Sequence, residues 1–323
     1  MTVKSYAKAI NEAHEQLLAS DQRVFVIGQG VESPWCVGTT TLGLVAKFGH
    51  ERVIDTPISE AGVTGAAIGA AMAGMRPIVF HPRMDFMYLA MDQIINHCAH
   101  WHYMFGGKVS VPVTIRGIVN RGNEQAAQHS QSPFSMYVHV PGLKVVCPSS
   151  PYDAKGLLVA AVRDDNPVIY IDDRWLYGLE EDVPDEIYDV PLGKGRLCRK
   201  GSDITIVAVS YLVREALVAA EVLASEGISA EVIDPRTLKP LDIDIILDSV
   251  QKTGRLVIAD PDWSCCGFSE HIARLVYTRF YNSLKKPIQF VTLPDSPVPA
   301  STPLEKEYFP SYLDIIAAAK KTR

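Results

Sequence analysis

One carboxylate opens a segment that is otherwise small and apolar. Glu60 begins the run of residues 60–74, whose composition predicts a buried helix. Its four glycines leave no side chain to hold a second backbone or a flat cofactor at a distance: Gly62, Gly65, Gly69 and Gly74. Two hypotheses follow for Glu60. It either complements the positive end of the helix, worth under about 1 kcal/mol, or it is a carboxyl group kept partly dry so that it holds a proton near neutral pH.

Further motifs follow Glu60 in a fixed order along the chain. They are the run 84–96, the motif Ala127-Gln-His-Ser-Gln131, and the runs 141–146, 163–168 and 294–299. Together with Ile58-Ser-Glu-Ala-Gly62 they resemble the β subunit of the thiamine-diphosphate-dependent 2-oxoacid dehydrogenase decarboxylase component, a member of the transketolase superfamily. The resemblance covers essentially the whole chain, and several motifs in one order are more specific than any one of them.

This resemblance implies a cofactor whose two ends have different needs. Thiamine diphosphate needs Mg²⁺ held by oxygen ligands at its diphosphate, and a carboxylic acid beside a nitrogen of its pyrimidine ring. In the superfamily the magnesium site carries a Gly-Asp-Gly motif, which does not occur in this sequence. The resemblance therefore predicts half an active site. An α subunit with Gly-Asp-Gly would hold the diphosphate and Mg²⁺ in an α2β2 heterotetramer.

Three residues take roles by match to the family's motifs. Glu60 is predicted to activate the pyrimidine ring, and Phe86 to stack on it with its aromatic face. His129 is predicted to donate a proton and to contact the lipoyl group, because histidine titrates near neutrality. The structural alternatives are a core aromatic for Phe86 and an ordinary loop histidine for His129.

The chain departs from its pyruvate-specific relatives just before Phe86. Those relatives have an aromatic and apolar stretch there, whereas this chain has His81-Pro-Arg-Met-Asp85. His81 and Arg83 in a substrate pocket would suit an anionic or hydroxylated donor, such as a ketose phosphate or a functionalised 2-oxoacid. The alternative for Arg83 is an ion pair with Asp85 or a contact with the partner subunit.

The run 163–168 matches a segment that helps to bind a structural potassium ion in some relatives. The resemblance implies that such an ion would lie near Ala161, Asp164 and Asn166. The alternative for this stretch is a helix end followed by a turn.

Composition argues against two classes of partner and predicts a compartment. A formal net charge of −6 argues against nucleic acid, and no apolar run approaches the roughly 18 residues of a membrane span. The amphipathic helix predicted near the N-terminus carries Glu12 and Glu15, which fits neither a signal peptide nor an acid-poor transit peptide. Six cysteines without CxxC spacing predict a reducing, cytoplasmic location.

The order of predicted strands and helices, which must position these residues, indicates an α/β fold with two parallel-sheet domains. Short β-branched runs alternate with helical stretches, and 323 residues favour two separate cores. We expect a pyrimidine-binding domain at 1–185, a linker at 186–200 and a transketolase C-terminal-like domain at 201–323. The acidic, proline-bearing run 180–186 predicts a solvated connection between them.

Long helices are expected at three places in the first domain. They are residues 60–74, 86–104 and 153–164. In the second domain, Ser210 is the expected N-cap of a helix that Gly227 ends.

Three functions are consistent with these observations. The leading prediction is a β subunit that acts with its α subunit to decarboxylate a 2-oxoacid and to pass the acyl unit to a lipoyl group on an acyltransferase or another carrier. The first alternative is a split transketolase that moves a two-carbon ketol unit from a ketose phosphate to an aldose or a carrier. The second is a non-catalytic nucleotide-binding or flavoprotein-type subunit, against which Glu60, Phe86 and His129 together argue.

Overall fold

A computed structural model of the chain describes residues 1–33, 35 and 37–323. It divides into two compact units. The first comprises Met1–Arg121 and Met136–Leu192, and the second comprises Gly122–Ser135 and Gly193–Arg323. The sequence-based bounds treat the first domain as continuous, whereas compactness groups residues 122–135 with the second unit.

The first unit is built on a parallel sheet. Six of its strands join in the order β6-β7-β5-β4-β2-β3, and all five pairs are parallel. Every residue of β5 and β7 is buried, as in sheets covered on both faces. A separate antiparallel ribbon pairs β1 with β8. The strands are β1 (Thr2–Ser5), β2 (Val24–Gly28), β3 (Val53–Asp55), β4 (Arg76–His81), β5 (Thr114–Val119), β6 (Lys144–Val146), β7 (Val168–Asp173) and β8 (Glu180–Val183).

Local sequence explains where several helices of the first unit begin. The Ser5 side chain accepts a hydrogen bond from the Lys8 amide, and Ser150 caps a helix that has Pro151 in its first turn. The helices are α1 (Tyr6–Ser20), α2 (Leu44–Phe48), α3 (Glu60–Met72), α4 (His100–Met104), α5 (Phe134–His139) and α6 (Pro151–Arg163).

The second unit contains a five-stranded sheet in the order β14-β13-β10-β11-β9. Strand β9 runs antiparallel to β11, and the remaining pairs are parallel. Its strands are β9 (Arg196–Arg199), β10 (Ile204–Ala208), β11 (Ala230–Asp234), β12 (Thr237–Lys239), β13 (Leu256–Trp263) and β14 (Gln289–Leu293). Its helices are α7 (Leu212–Ser225), α8 (Ile243–Thr253), α9 (Phe268–Phe280), α10 (Thr302–Tyr308) and α11 (Tyr312–Lys321).

Three local predictions were wrong. The helix expected at 86–104 is a 3₁₀ turn at Met84–Ala90, a π-helical stretch at Gln93–Ala99 and the short α4. The run 180–186 is not wholly a connection, because its first four residues form β8. Helix α7 begins at Leu212 after Tyr211, and Ser210 lies one residue earlier in the left-handed region with φ 57°.

Two further observations concern the described part of the chain. None of its helices is both long and apolar enough to cross a membrane. Its five cysteines are free thiols. The sixth, Cys36, lies outside the described residues.

Candidate active site

Glu60 occupies the first position of α3, and its side chain is half-buried. The preceding Ser59 makes no side-chain hydrogen bond to the helix, although its carbonyl accepts the Val63 amide at 2.9 Å. A carboxylate in the first turn interacts favourably with the unpaired N–H groups there. A Cβ added to Gly62 would lie 2.8 Å from Ser59 Oγ, so a larger residue there would require the Ser59 hydroxyl group to rotate away. Glu60 therefore lies in the first turn of a closely packed helix, with its side chain half-buried.

Helix α3 has one buried face and one open face. Its buried side chains are Thr64, Ala67, Ile68 and Ala71. The opposite face is exposed in this chain and is formed by Gly62, Ala66, Gly69 and Met72. No atom lies within 4 Å of a Cβ added to Gly69. The prediction of a buried helix therefore holds for one face only, and the other face can be approached closely by another molecule.

His81 lies at the end of β4, behind α3 rather than at the surface. Its ring is 2% exposed, and Nε2 is 3.1 Å from Thr64 Oγ1 on the buried face of α3. Burial lowers the pKa of His81 to about 4, so the imidazole is neutral at physiological pH. This placement gives no support to a direct contact with an anionic donor. His81 instead packs behind the helix that carries Glu60 and contacts its buried face.

Phe86 belongs to the 3₁₀ turn that follows β4, and its ring is partly buried. This turn packs against α3 and against β5. A glycine on β5 permits the close approach, because a Cβ added to Gly117 would lie 2.3 Å from Sδ of Met87. Phe86 and Glu60 are therefore carried by neighbouring elements of one unit.

Arg83 is half-buried just before that turn and lies near a second guanidinium group. Its Nη1 donates to the Pro82 carbonyl at 2.8 Å. Burial and the positive charge of Arg174 both lower the pKa of Arg83, while Asp85 opposes the shift. Arg174 is exposed and donates to Asn120 Oδ1 at 3.1 Å. Two like charges in proximity favour an anion beside them.

His129 is half-buried in residues 122–135, which we call the His129 segment. The backbone amide of His129 donates to the Ala126 carbonyl at 3.3 Å, and the Gln131 side chain donates to the Ala127 carbonyl at 3.1 Å. These bonds describe a compact, non-helical turn. His129 belongs to the second unit, whereas Glu60, His81, Arg83 and Phe86 belong to the first.

Two cationic side chains of the protein bind to the segment implied for potassium. The guanidinium group of Arg76 donates to the carbonyls of Val162 and Asp164, each at 3.0 Å. Lys144 forms an ion pair with the Asp164 carboxylate. That carboxylate also accepts the Asn166 amide at 2.8 Å, and the Ala161 carbonyl accepts the Asp164 amide at 3.3 Å. The potassium site stays a prediction, with protein cations competing for the same oxygen atoms.

Magnesium has no visible site in the described part of this chain. Within residues 1–33, 35 and 37–323, no three His, Cys, Asp or Glu side chains are grouped so that they could hold a metal ion.

Sequence analysis missed a set of buried carboxylates in the second unit. Asp260 and Asp262, at the end of β13, are 0% and 2% exposed, and Glu305 on α10 is 6% exposed. Burial, and then the charge of Asp262, raise the pKa of Asp260 to about 8. Burial also raises the pKa of Asp262. The available signal was an acidic pair, Asp-Pro-Asp, at the end of an apolar strand.

Comparison with known proteins identifies both halves of the chain. Residues 3–178 match the family model described as transketolase, pyrimidine binding domain. Residues 193–315 match transketolase, C-terminal domain.

Relatives that match nearly the whole chain include β subunits of two kinds of enzyme. The chain is 47% identical to the acetoin:2,6-dichlorophenolindophenol oxidoreductase subunit beta of Cupriavidus necator, over 97% of this chain and 96% of that protein. It is 44% identical to the pyruvate dehydrogenase E1 component subunit beta of Rickettsia bellii, over 97% of each chain. The bovine mitochondrial pyruvate dehydrogenase E1 subunit beta is 43% identical, over 98% of this chain and 89% of that protein.

A solved structure described as a split gene transketolase, inactive beta4 tetramer, has the same fold. The TM-score is 0.80, with 98% of this chain and 97% of that chain covered. At 23% identity this likeness concerns the fold alone. The family matches and the curated relatives carry the assignment: the chain belongs to the transketolase-like family of thiamine-diphosphate enzymes, among the E1-type β subunits that include those of pyruvate dehydrogenase and of the acetoin oxidoreductases.

Proposed function

We propose that this chain is the β subunit of an α2β2 enzyme that decarboxylates a 2-oxoacid and transfers the acyl unit to a lipoyl acceptor. The observation that carries the proposal is the placement of Glu60, half-buried at the start of a helix whose outer face beside it is formed by the small residues Gly62 and Ala66. A flat pyrimidine ring can approach such a helix start, where a carboxyl group can exchange a proton with it. The residues of this chain therefore fit the pyrimidine end of thiamine diphosphate.

Each site residue has a separate task in this proposal. When bound, thiamine diphosphate supplies the carbon nucleophile and accepts the electron pair that the leaving carboxylate releases. Glu60 gives a proton to the pyrimidine ring and takes it back, and Phe86 orients that ring by stacking. His129 donates a proton to the substrate oxygen or to a sulfur atom of the lipoyl ring.

The partner subunit would cover the open face of α3. Two large apolar side chains are also exposed in the single chain: Ile58, two residues before α3, at 72%, and Leu89, on the 3₁₀ turn that packs against α3, at 62%. Exposed apolar surface of this kind is typical of obligate interfaces. The same subunit would supply the ligands of Mg²⁺, for which the described residues of this chain form no cluster.

The donor is expected to carry an anionic group near Arg83. Arg83 and Arg174 lie close enough for the charge of one to lower the pKa of the other, and an anion would relieve that repulsion. The carboxylate of a 2-oxoacid meets this need, and so does the phosphate of a ketose phosphate. The split transketolase therefore remains the second candidate, and it differs by turning over without a lipoyl protein.

Cofactor titration of the chain alone and with its α subunit tests the proposal. We expect calorimetry to detect Mg²⁺-dependent binding of thiamine diphosphate only when both subunits are present. Pyruvate, acetoin, a branched 2-oxoacid and a ketose phosphate are then compared as donors, with and without a lipoyl domain. Micromolar binding by the isolated chain would overturn the half-site proposal, and turnover of the ketose phosphate with an aldose would select the transketolase alternative.

A further inference from the structure

The His129 segment is irregular and yet closely defined. Asn123, Glu124 and Ala126 all have φ between 56° and 61°, in the left-handed region that side chains rarely adopt. Each such residue costs of order 1 kcal/mol and persists only where its surroundings hold it. The segment must therefore obtain its conformation from contacts elsewhere in the second unit.

One of those contacts lies at the beginning of the segment. The backbone amide of Glu124 donates to the buried Glu305 carboxylate at 3.1 Å. In return, the Glu124 carboxylate accepts hydrogen bonds from Thr302, from Oγ1 at 2.9 Å and from the amide at 3.3 Å. Thr302 and Glu305 both belong to α10. The first part of the segment is thus bonded reciprocally to one helix.

The other contacts lie at the end of the segment. The amide of Ser135 donates to Oδ2 of Asp262 at 3.0 Å, and the hydroxyl of Ser132 donates to the Pro261 carbonyl. Asp262 is itself held by the Trp263 amide, which donates to its Oδ1 at 2.8 Å. Both ends of the segment are therefore anchored to buried acceptors, with His129 between them.

We infer that Glu305 and Asp262 are positioning residues for His129, because they fix the two ends of the turn that carries its imidazole. We do not propose that either side chain contacts the substrate or the cofactor. They act through the backbone, because a carboxyl oxygen of each accepts a hydrogen bond from an amide in place of water. The inference rests on the proposed role of His129, and a misplacement of about 1 Å in a reacting group can reduce a rate about a hundredfold.

The test uses the assembled α/β complex with Glu305→Ala, Glu305→Gln and the control Glu307→Ala. Glu307 is an exposed carboxylate on the same helix. Hydrogen exchange of the amides of residues 122–135 is measured by mass spectrometry, together with kcat and KM for acyl transfer. We expect faster exchange and a tenfold to hundredfold lower kcat only in Glu305→Ala, with Glu305→Gln near the wild type because its amide oxygen still accepts the bond.

The same variants are then placed in a His129→Ala background. If Glu305 acts through His129, its replacement should change kcat less than about twofold there. Equal exchange in Glu305→Ala and Glu307→Ala would overturn the inference, and so would an equal loss of kcat in both backgrounds. A fully active His129→Ala complex would instead overturn the proposed role of His129, while the exchange data still report whether Glu305 holds the segment.

The other end of the segment is tested with Asp262→Ala, which removes the acceptor of the Ser135 amide, and with Asp262→Asn, whose amide oxygen still accepts that bond. Ser132→Ala is a milder change at the same end, because it removes only the hydroxyl group that donates to the Pro261 carbonyl. We expect Asp262→Ala and Ser132→Ala to raise exchange in residues 122–135 and to lower kcat less in the His129→Ala background than in the wild type, with Asp262→Asn near the wild type. Unchanged exchange and an unchanged kcat would contradict the inference at this end.

Discussion

Glu60 and His129, the two residues proposed to move protons, are positioned in different ways. Glu60 is the first residue of a regular helix that packs through a short-range pattern of small and apolar side chains. His129 lies in an irregular segment that is bonded to β13 and α10, more than a hundred residues away in sequence. Regular structure places the first residue, and a few long-range hydrogen bonds place the second. The two regions should therefore fail in different ways when they are altered.

The largest expected effect separates the chemical tasks of the two residues. In the α/β complex, Glu60→Gln should slow deuterium exchange of the cofactor's acidic carbon-bound proton by about a hundredfold to ten-thousandfold, because an amide cannot exchange a proton as a carboxyl group does. His129→Gln should leave that exchange normal and reduce acyl transfer. NMR exchange and a lipoyl-domain assay measure the two steps, with exposed Glu51→Gln as the control. Equal damage to both steps by both variants would remove the division of tasks.

A second prediction concerns the sheet beneath Phe86. Gly117→Ala should destabilise the first unit by about 1 to 3 kcal/mol, because the new methyl group would overlap buried Met87 and push the 3₁₀ turn away. Weaker binding of thiamine diphosphate should accompany the loss. Denaturant unfolding and calorimetry measure these effects. Gly178→Ala is the matched control, since no atom lies within 4 Å of its added Cβ and the residue is exposed. A stable complex with normal cofactor affinity would show that the turn does not need the glycine.

His81 in the first unit and Asp260 in the second should contribute to stability with opposite dependence on pH. The pKa of His81 falls to about 4 in the folded chain, so its stabilising contribution is lost as the pH falls from about 6.5 through 4. The pKa of Asp260 rises to about 8, so its contribution is present below about pH 4 and is lost as the pH rises through 8. For His81 the shift corresponds to up to about 3 kcal/mol.

Neutral replacements test these signs. Between pH 7 and pH 5, His81→Gln should lose less stability than the wild type, with exposed His139→Gln as the control. Between pH 6 and pH 9, Asp260→Asn should gain relative to the wild type, with exposed Asp248→Asn as the control. Thermal melts at each pH provide the measurement. Parallel pH curves for variant and wild type would contradict the corresponding assignment.

The smallest expected effect concerns a substitution on the open face of α3. Gly69→Ala should stabilise the isolated chain by up to about 1 kcal/mol, because alanine favours the helix and its methyl group meets no atom within 4 Å. The same methyl group should weaken association with the α subunit about tenfold, or roughly 1.4 kcal/mol, if that subunit packs closely on this face. Thermal melts and sedimentation measure the two effects. Unchanged assembly would place the α subunit on another surface.

Local sequence was most informative where short-range patterns decide the structure. The glycine-rich run at 60–74 became α3 with Glu60 at its start, and the run at 153–164 became α6. These elements depend on residues within a few positions of one another. The prediction of one helix at 86–104 was wrong, because the local pattern there is helical throughout. In the structure this stretch packs against α3 and β5 and is divided into 3₁₀, π and α turns.

Positions of individual side chains were less predictable than elements. His81 and Arg83 are two residues apart and received the same predicted role in substrate binding. In the structure His81 is buried behind α3, while Arg83 is half-buried near Arg174. Strand β4 ends at His81, which α3 covers, whereas Arg83 lies beyond the strand and just before the 3₁₀ turn. Neither the end of the strand nor the packing of α3 can be read from the motif alone.

The sequence by itself determined the family, the alternation of strands and helices, and the residue that opens α3, because motifs and hydrophobic periodicity are written within short stretches. Only the tertiary structure decided which face of α3 stays open, that His81 is neutral and buried, and that Glu305 and Asp262 hold the His129 segment. The physical reason is the range of the interactions. Burial and buried hydrogen bonds join residues that are far apart in the chain. A pKa shift depends on all the groups that surround a side chain in the folded protein, and no local pattern contains them.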